Sequence, residues 1–249
     1  MNATFKAIRE SAERASGCRV FRNLPHGTDC FFDIAKSFGR NGIKIVFDVG
    51  ANVGQSATTY LREFPQAEIY SFEPVAATYR ELISTTRMFP RVHAWKLGMG
   101  REAGERVIHV NPVDKVSSVV LERPGDRCES IELATIAGFA EKLKIERIDF
   151  LKTDTEGYEL EVLSGAERLL REQRVSFVLS ECAPMKSTST RGDYSLVDFG
   201  TMAQFFADFG YRLFGVYEQQ LEWDGTNALL FWNALFICPS LTVPGAQLH

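Results

Sequence analysis

Lys152, Asp154 and Glu156 stand at alternate positions at the end of the apolar run Ile148-Asp149-Phe150-Leu151, and Gly157 follows at once. This places an ammonium and two carboxylates where a strand should give way to a turn. A carboxylate held there can take a proton from an alcohol in the transition state. A second constellation lies earlier, in Ile45-Val46-Phe47-Asp48-Val49-Gly50-Ala51-Asn52-Val53-Gly54-Gln55. An apolar strand that runs into a glycine turn and then a helix is the pattern of a cofactor-binding βα turn. Glu73, in Tyr70-Ser71-Phe72-Glu73-Pro74, follows at the interval at which a second strand presents a carboxylate to a nucleoside ribose.

The turn departs from a dinucleotide fingerprint in a way that bears on the cofactor. Asn52 holds the position of the second glycine of G-x-G-x-x-G, which lets backbone approach a pyrophosphate. Asp48 precedes the first glycine, Gly50. A carboxylate there repels a diphosphate but suits a ligand carrying an ammonium and a sulfonium. S-adenosylmethionine is such a ligand. The competing explanation, an ordinary glycine turn in an α/β protein, loses weight because Glu73 follows in the next strand.

Other residues invite weaker assignments. Glu181 closes a strand over 175–180 beside a polar loop. It could bind substrate or share a magnesium ion with Asp154, since hard oxygen ligands suit that metal. Asp154 and Glu156 have a plainer alternative, as caps of a helix beginning near Tyr158. His26, in a Pro-His-Gly loop, is a candidate base. His93 and His109 fall in strands, where structural roles are expected. Ser117 and Ser118 are compatible with ligand contact or with a polar edge strand.

The elements needed to position these groups are legible as an alternation: strand 44–50, helix 53–64, strand 67–72, helix 75–87, strand 92–97. This βαβαβ rhythm predicts a parallel sheet with right-handed crossovers. Short strands are expected at 107–110 and 116–120, a helix over 135–143, a strand over 147–153, and one helix over 158–172. A strand over 175–180, a helix over 195–209 with a phenylalanine-rich core face, and strands over 211–217 and 229–238 complete the chain. Ligands of open α/β sheets bind beyond the carboxyl ends of the strands. Asp48, Gly50, Glu73, Asp154 and Glu181 all fall at such ends, so one crevice should collect them. The polar stretch Lys186 to Asp193 lies where a lid is expected.

At 249 residues, with 45% hydrophobic and 24% charged residues, the chain suits one large α/β core. The expected division is an N-terminal helical and loop cap over 1–40 and a main domain over 41–249. A net charge of −4 offers no electrostatic footprint for nucleic acid. The five cysteines lack any C-x-x-C pair, so neither a disulfide framework nor a zinc site is indicated, and reduced, buried thiols are expected. Met1 to Gly17 has no apolar signal core, and the run from Ala228 to Cys238 is too short to span a bilayer as a helix. A cytoplasmic protein without a membrane span is expected.

Phe47 to Gly54, Phe72-Glu73-Pro74, Leu151 to Glu159 and Leu163-Ser164-Gly165-Ala166, in that order, resemble the FkbM-type methyltransferase family. The resemblance covers roughly residues 40–182 and, more loosely, Asn233 to Ile237. It implies a class I, Rossmann-like fold: a seven-stranded, mostly parallel sheet with one antiparallel strand and helices on both faces. It also implies S-adenosylmethionine as cofactor and O-methylation of a sugar, polyketide or related hydroxyl-bearing small molecule. By the same resemblance Asp48, Gly50, Asn52 and Gly54 cradle the methionine part of the cofactor, and Glu73 holds the ribose hydroxyls. Lys152, Asp154, Glu156 and Gly157 match the motif at the active-site end of the fourth strand. The chain departs from the family at Thr135-Ile136-Ala137, where members often carry an acidic T-L-D turn. N- or carboxyl-methylation, and cofactor binding without catalysis, remain open beside O-methylation.

Overall fold

The computed structural model describes residues 13–18, 21, 24–111, 117–119, 125–184, 196–222, 225 and 227–241. The expected lid, Lys186 to Asp193, and most of the expected N-terminal helix lie outside them. Helix α1 (Cys30–Phe38) starts where the Asp29 side chain accepts from the Phe32 amide at 3.0 Å and stops at Gly39. A doubly wound core follows: β1 (Ile45–Val49), α2 (Gln55–Glu63), β2 (Glu68–Phe72), α3 (Ala76–Thr86) and β3 (Val92–Trp95). Next come the short strands β4 (Gly98–Met99), β5 (Gly104–Val110), β6 (Ser117–Ser118) and β7 (Arg127–Ala134), then α4 (Ile136–Lys142) and β8 (Ile148–Thr153). The chain continues through α5 (Glu159–Ser164), α6 (Glu167–Arg171), β9 (Val175–Cys182), α7 (Phe199–Ala207), β10 (Arg212–Leu221) and β11 (Leu229–Ile237).

Seven strands form the main sheet in the order β10-β11-β9-β8-β1-β2-β3. β11 runs antiparallel to both its neighbours, and the other pairings are parallel. Strand alternation sends Val46, Phe150, Phe177 and Leu235 to one face, against Cys30 and Ile34 of α1 and Tyr60 of α2. Phe47, Leu151, Val178 and Phe236 pack on the other, against Phe139, Leu163 and Phe206. The phenylalanine stripe of α7 is core, as expected: Phe206 is fully buried and stacks on Phe236 with ring centroids 4.2 Å apart. A fully buried side chain of that size stabilises the fold by about 1.5–3 kcal/mol.

The structure corrects three expectations about elements. First, β4 to β7 form a separate four-stranded sheet, ordered β4-β7-β5-β6, and β7 was not anticipated. Second, the helix expected over 158–172 is two helices. Gly165 packs so closely on the chain around Gly100 that an added Cβ would lie 2.1 Å from the Gly100 carbonyl oxygen, and the Gly165 carbonyl accepts from the Ala137 amide at 3.0 Å. Third, β9 runs past Ser180 to Cys182, because β11 continues the ladder beside it, pairing Asn233 with Glu181 and Trp232 with Cys182. Glu181 is therefore a strand residue and not a strand terminus. The expected burial of the cysteines holds for Cys30, Cys182 and Cys238 but not for Cys18 and Cys128, which are exposed.

Candidate active site

A cavity of about 370 Å³ opens at the carboxyl ends of β1, β2 and β8, the place where open α/β sheets take ligands. Its polar wall includes Gly50, Asn52, Glu73, Lys152, Asp154 and Glu156. Gln55, Ser56, Thr78 and Tyr158, which sequence reasoning did not single out, also line it. The opposite wall is apolar and comes from the small sheet: Ile108, Ile131 and Leu133, with Val119 following β6. Ile131-Glu132-Leu133 carries a period-two signal in the sequence that could have revealed this wall.

Two of the turn glycines act through packing. Gly50 has φ +80°, and a Cβ there would lie 1.8 Å from the Asp154 carbonyl oxygen. Only glycine lets the β1 turn meet the β8 turn so closely. Gly54, with φ +93°, starts α2 hard against α3, where a Cβ would meet Leu82 at 3.0 Å and Thr86 at 3.2 Å. It does not line the cavity. Asn52 takes the left-handed conformation at φ 49°, which asparagine tolerates better than most residues, and its amide donates to Glu73 Oε2 at 3.2 Å. The other Glu73 oxygen accepts from the Val75 amide at 2.9 Å. Burial raises the Glu73 carboxyl to about 7, with these two amides opposing and Glu129 and Asp48 adding to the rise.

Asp48 is wholly buried and sits beneath the turn rather than in the cavity wall. Oδ1 accepts a long hydrogen bond from the Tyr60 hydroxyl at 3.4 Å, and Oδ2 has no partner among the described residues. Its register partner on β8 is Lys152, whose Nζ lies 2.8 Å from Asp154 Oδ2. Burial works against the Lys152 charge, yet Asp154 and Asp48 outweigh it and hold the ammonium above its ordinary value. Burial pushes Asp48 up despite Lys152. The β8 turn itself is held by a residue outside the expected set. Glu159 is fully buried, and its Oε1 accepts from the Thr155 amide at 2.7 Å, the Thr155 hydroxyl at 3.0 Å and the Gly157 amide at 3.3 Å. Glu159 thus ties the β8 turn together, while α5 begins at Tyr158 with no side-chain cap, so neither Asp154 nor Glu156 caps it as the plainer alternative held.

Glu181 lies beside this group without lining the cavity. Burial, with Asp154, Glu156 and Glu159 close by, raises its carboxyl to about 9. A carboxyl raised in the fold favours folding fully below its unfolded value near 4.5, and that contribution is lost as pH climbs to about 9. Glu181→Gln should therefore be more stable than the wild type by about 2 kcal/mol at pH 8 and no more stable at pH 4. Urea denaturation at both values measures this, and equal stabilisation at both would place the effect elsewhere. The minor candidate base His26 is not in the cavity lining. His26 Nδ1 is 3.2 Å from Asp33 Oδ2 and Nε2 is 2.6 Å from the Phe214 carbonyl, so it fastens the loop before α1 to β10. His93 pairs with Glu68, and His109 meets Cys128 on the small sheet. Among the described residues no group of three or more His, Cys, Asp or Glu is placed to hold a metal ion. No helix among them is long and apolar enough to cross a membrane.

Sheet order, the single antiparallel strand and the glycine turn over the cavity define a class I, S-adenosylmethionine-dependent methyltransferase fold. Residues 48–213 match the methyltransferase FkbM domain, and the chain belongs to that family. It is similar to the hexuronic acid methyltransferase AglP of Haloferax volcanii, 28% identical over 140 residues, 55% of each chain. It is also similar to methyltransferase sdnD of Sordaria araneosa, 27% identical over 173 residues, covering 56% of this chain and 66% of that one. The matches thus span between 55% and 66% of these two relatives. Among solved structures, the chain is similar to TrmK of M. capricolum in complex with S-adenosylhomocysteine, with a TM-score of 0.47 and 11% identity over 88% of this chain and 70% of that one.

Proposed function

We propose that the protein transfers a methyl group from S-adenosylmethionine to a hydroxyl oxygen of a sugar or related small molecule. The observation that carries this is the cavity, which brings the Gly50–Asn52 turn, Glu73 and the Lys152–Asp154 pair to one opening. Its volume is that of a small-molecule site. The donor set fits the cofactor: Glu73 spends one lone pair on each oxygen on backbone amides and keeps others for ribose hydroxyls, and the one basic side chain in the lining, Lys152, is already paired with Asp154 at 2.8 Å rather than offered to a diphosphate. The acceptor class draws support from family membership and from similarity to a hexuronic acid methyltransferase. Residues 1–40 are proposed as a cap and 41–249 as the methyltransferase domain. A small-molecule acceptor, without nucleic acid, remains part of the proposal.

The bound cofactor supplies an activated methyl carbon on a sulfonium, open to in-line displacement. The chain's task is then alignment and management of one proton. Gly50 and Asn52 cradle the methionine part, Glu73 holds the ribose, and the apolar wall of Ile108, Ile131 and Leu133 excludes water. Asp154, aimed by Lys152, accepts the hydroxyl proton as the oxygen attacks. Glu156 is proposed to orient the acceptor at the same rim, and Glu181, behind them, to restrain the acidic cluster. The two nearby carboxylates also favour a cationic cofactor electrostatically.

Calorimetry with S-adenosylhomocysteine tests the cofactor assignment. The wild type should bind it, and Glu73→Ala should bind at least about tenfold more weakly, since a hydrogen bond to a charged group contributes about 1.5–3 kcal/mol. Binding of NAD with no response to the adenosyl ligand would overturn the assignment. Methyl transfer across a panel of hydroxylated acceptors, uronic acids included, tests the acceptor class, and transfer to amines or carboxylates alone would reassign it.

A further inference from the structure

Glu129, on β7, does not line the cavity, yet it touches the same short segment of chain that Glu73 holds. Glu73 Oε1 accepts from the Val75 amide at 2.9 Å, and Glu129 Oε1 accepts from the next amide, that of Ala76, also at 2.9 Å. Val75 gives α3 no side-chain cap of its own. The first turn of α3 is thus served by two carboxylates, one from the main sheet and one from the small sheet, both placed favourably for the helix dipole. Val75 is itself buried in a cluster with Ile108, Ile131 and Leu133. Glu129, Ile131 and Leu133 share one face of β7 by strand alternation. The same strand therefore grips the segment next to Glu73 and supplies the apolar wall opposite it.

We infer that Glu129 is a positioning residue for cofactor binding, locking the small sheet to the Glu73-Pro74-Val75-Ala76 segment so that the apolar wall and the ribose-binding carboxylate form one rigid unit. This rests on the cofactor assignment proposed above. It also makes the small sheet part of the cofactor site rather than an ornament on the fold, and it gives Glu129 two separable effects. Its hydrogen bond holds the geometry. Its charge acts on Glu73, against which the charged groups brought up are Glu129 from β7 and Asp48 from β1, both acidic, with the Val75 and Asn52 amides opposing them. Glu73 accepts from ribose hydroxyls most strongly as a carboxylate, since protonation turns one acceptor site into a donor and removes the charge that strengthens the bonds. Wild-type affinity should then weaken as pH falls through about 7. Removing the Glu129 charge lowers the Glu73 value and moves that midpoint to more acid pH.

The test is S-adenosylhomocysteine affinity by calorimetry from pH 5.5 to 8.5 for the wild type, Glu129→Gln, Glu129→Ala and Glu132→Gln. Glu132 is exposed on the opposite face of β7, so its variant removes a charge from the same strand without touching α3. Glu129→Ala is expected to bind about fivefold to tenfold more weakly at pH 8, where Glu73 is ionised in all variants. Glu129→Gln, which keeps an acceptor for the Ala76 amide, should lose less affinity there but show its midpoint shifted acid by roughly half a pH unit. Glu132→Gln should match the wild type. If Glu129→Ala fails to fold, the midpoint of Glu129→Gln decides the question. Wild-type affinity and midpoint in both Glu129 variants, or the same shift in Glu132→Gln, overturns the inference while leaving the cofactor assignment intact. A wild type that binds no adenosyl ligand overturns both.

Discussion

Asp154→Asn is expected to lower kcat by about 100-fold or more while leaving S-adenosylhomocysteine affinity nearly unchanged, because a positioned general base contributes about 10² to 10⁴. The substitution is close to isosteric, and the asparagine carbonyl can still accept from Lys152 Nζ, which stands 2.8 Å from Asp154 Oδ2. What is removed is the capacity to take a proton. The Asp154 backbone carbonyl packs on Gly50, and a side-chain change leaves that contact in place. Single-turnover methyl transfer with saturating cofactor separates chemistry from binding. Full activity would remove Asp154 from the reaction. Loss of wild-type activity on chelation, restored by magnesium, would instead make Asp154 a metal ligand.

Much of this architecture is written locally in the chain. The β1 turn announces itself because Gly50 and Gly54 both need positive φ, and β2 and β8 because apolar runs end on Glu73 and Asp154. What was not legible depends on contacts distant in sequence. At the break between α5 and α6, Gly165 lies against the Gly100 carbonyl, a contact distant in sequence that no helical periodicity reveals. Asp48 looks like a ligand from its position in the motif, but register with Lys152 and the bulk of Tyr60 bury it completely. The β8 turn is held by Glu159, which reaches back from the first residue of α5 to the Thr155 and Gly157 amides, a contact the local pattern does not show. Of the small sheet, β5 and β6 answer to the strands expected at 107–110 and 116–120, but β7 escapes because Arg127 to Ala134 is mostly polar, leaving only Ile131 and Leu133 to mark its buried face. Of the residues the sequence brought together, Asp48, Gly54 and Glu181 do not line the cavity, whereas Gly50, Asn52, Glu73, Lys152, Asp154 and Glu156 do. The apolar wall that faces them was missing.

Lys152→Met should show the largest loss of stability, about 3–5 kcal/mol at pH 8, the scale for stranding a buried charge by removing its partner. Lys152 is nearly buried and stands between Asp48, its register neighbour, and Asp154, its ion-pair partner. Asp154 is partly exposed and can turn to water. Asp48 cannot, since it is 0% exposed and one of its oxygens has no partner among the described residues. Its carboxyl is already raised by burial, with Lys152 opposing, and the substitution removes that opposition. A carboxyl raised in the fold contributes stability below its unfolded value near 4 and loses it as pH rises through the folded value. The deficit of Lys152→Met should therefore be small near pH 4 to 5 and widen toward pH 8. Adding Asp48→Asn should recover part of the loss at pH 8, a coupling expected of residues in contact. Urea denaturation of the two single variants and the double variant at both pH values measures it. A deficit equal at pH 5 and pH 8, unrelieved by Asp48→Asn, would mean that Lys152 stabilises the fold through its packing alone, and the ion pair beneath the cofactor turn would have no part in holding it.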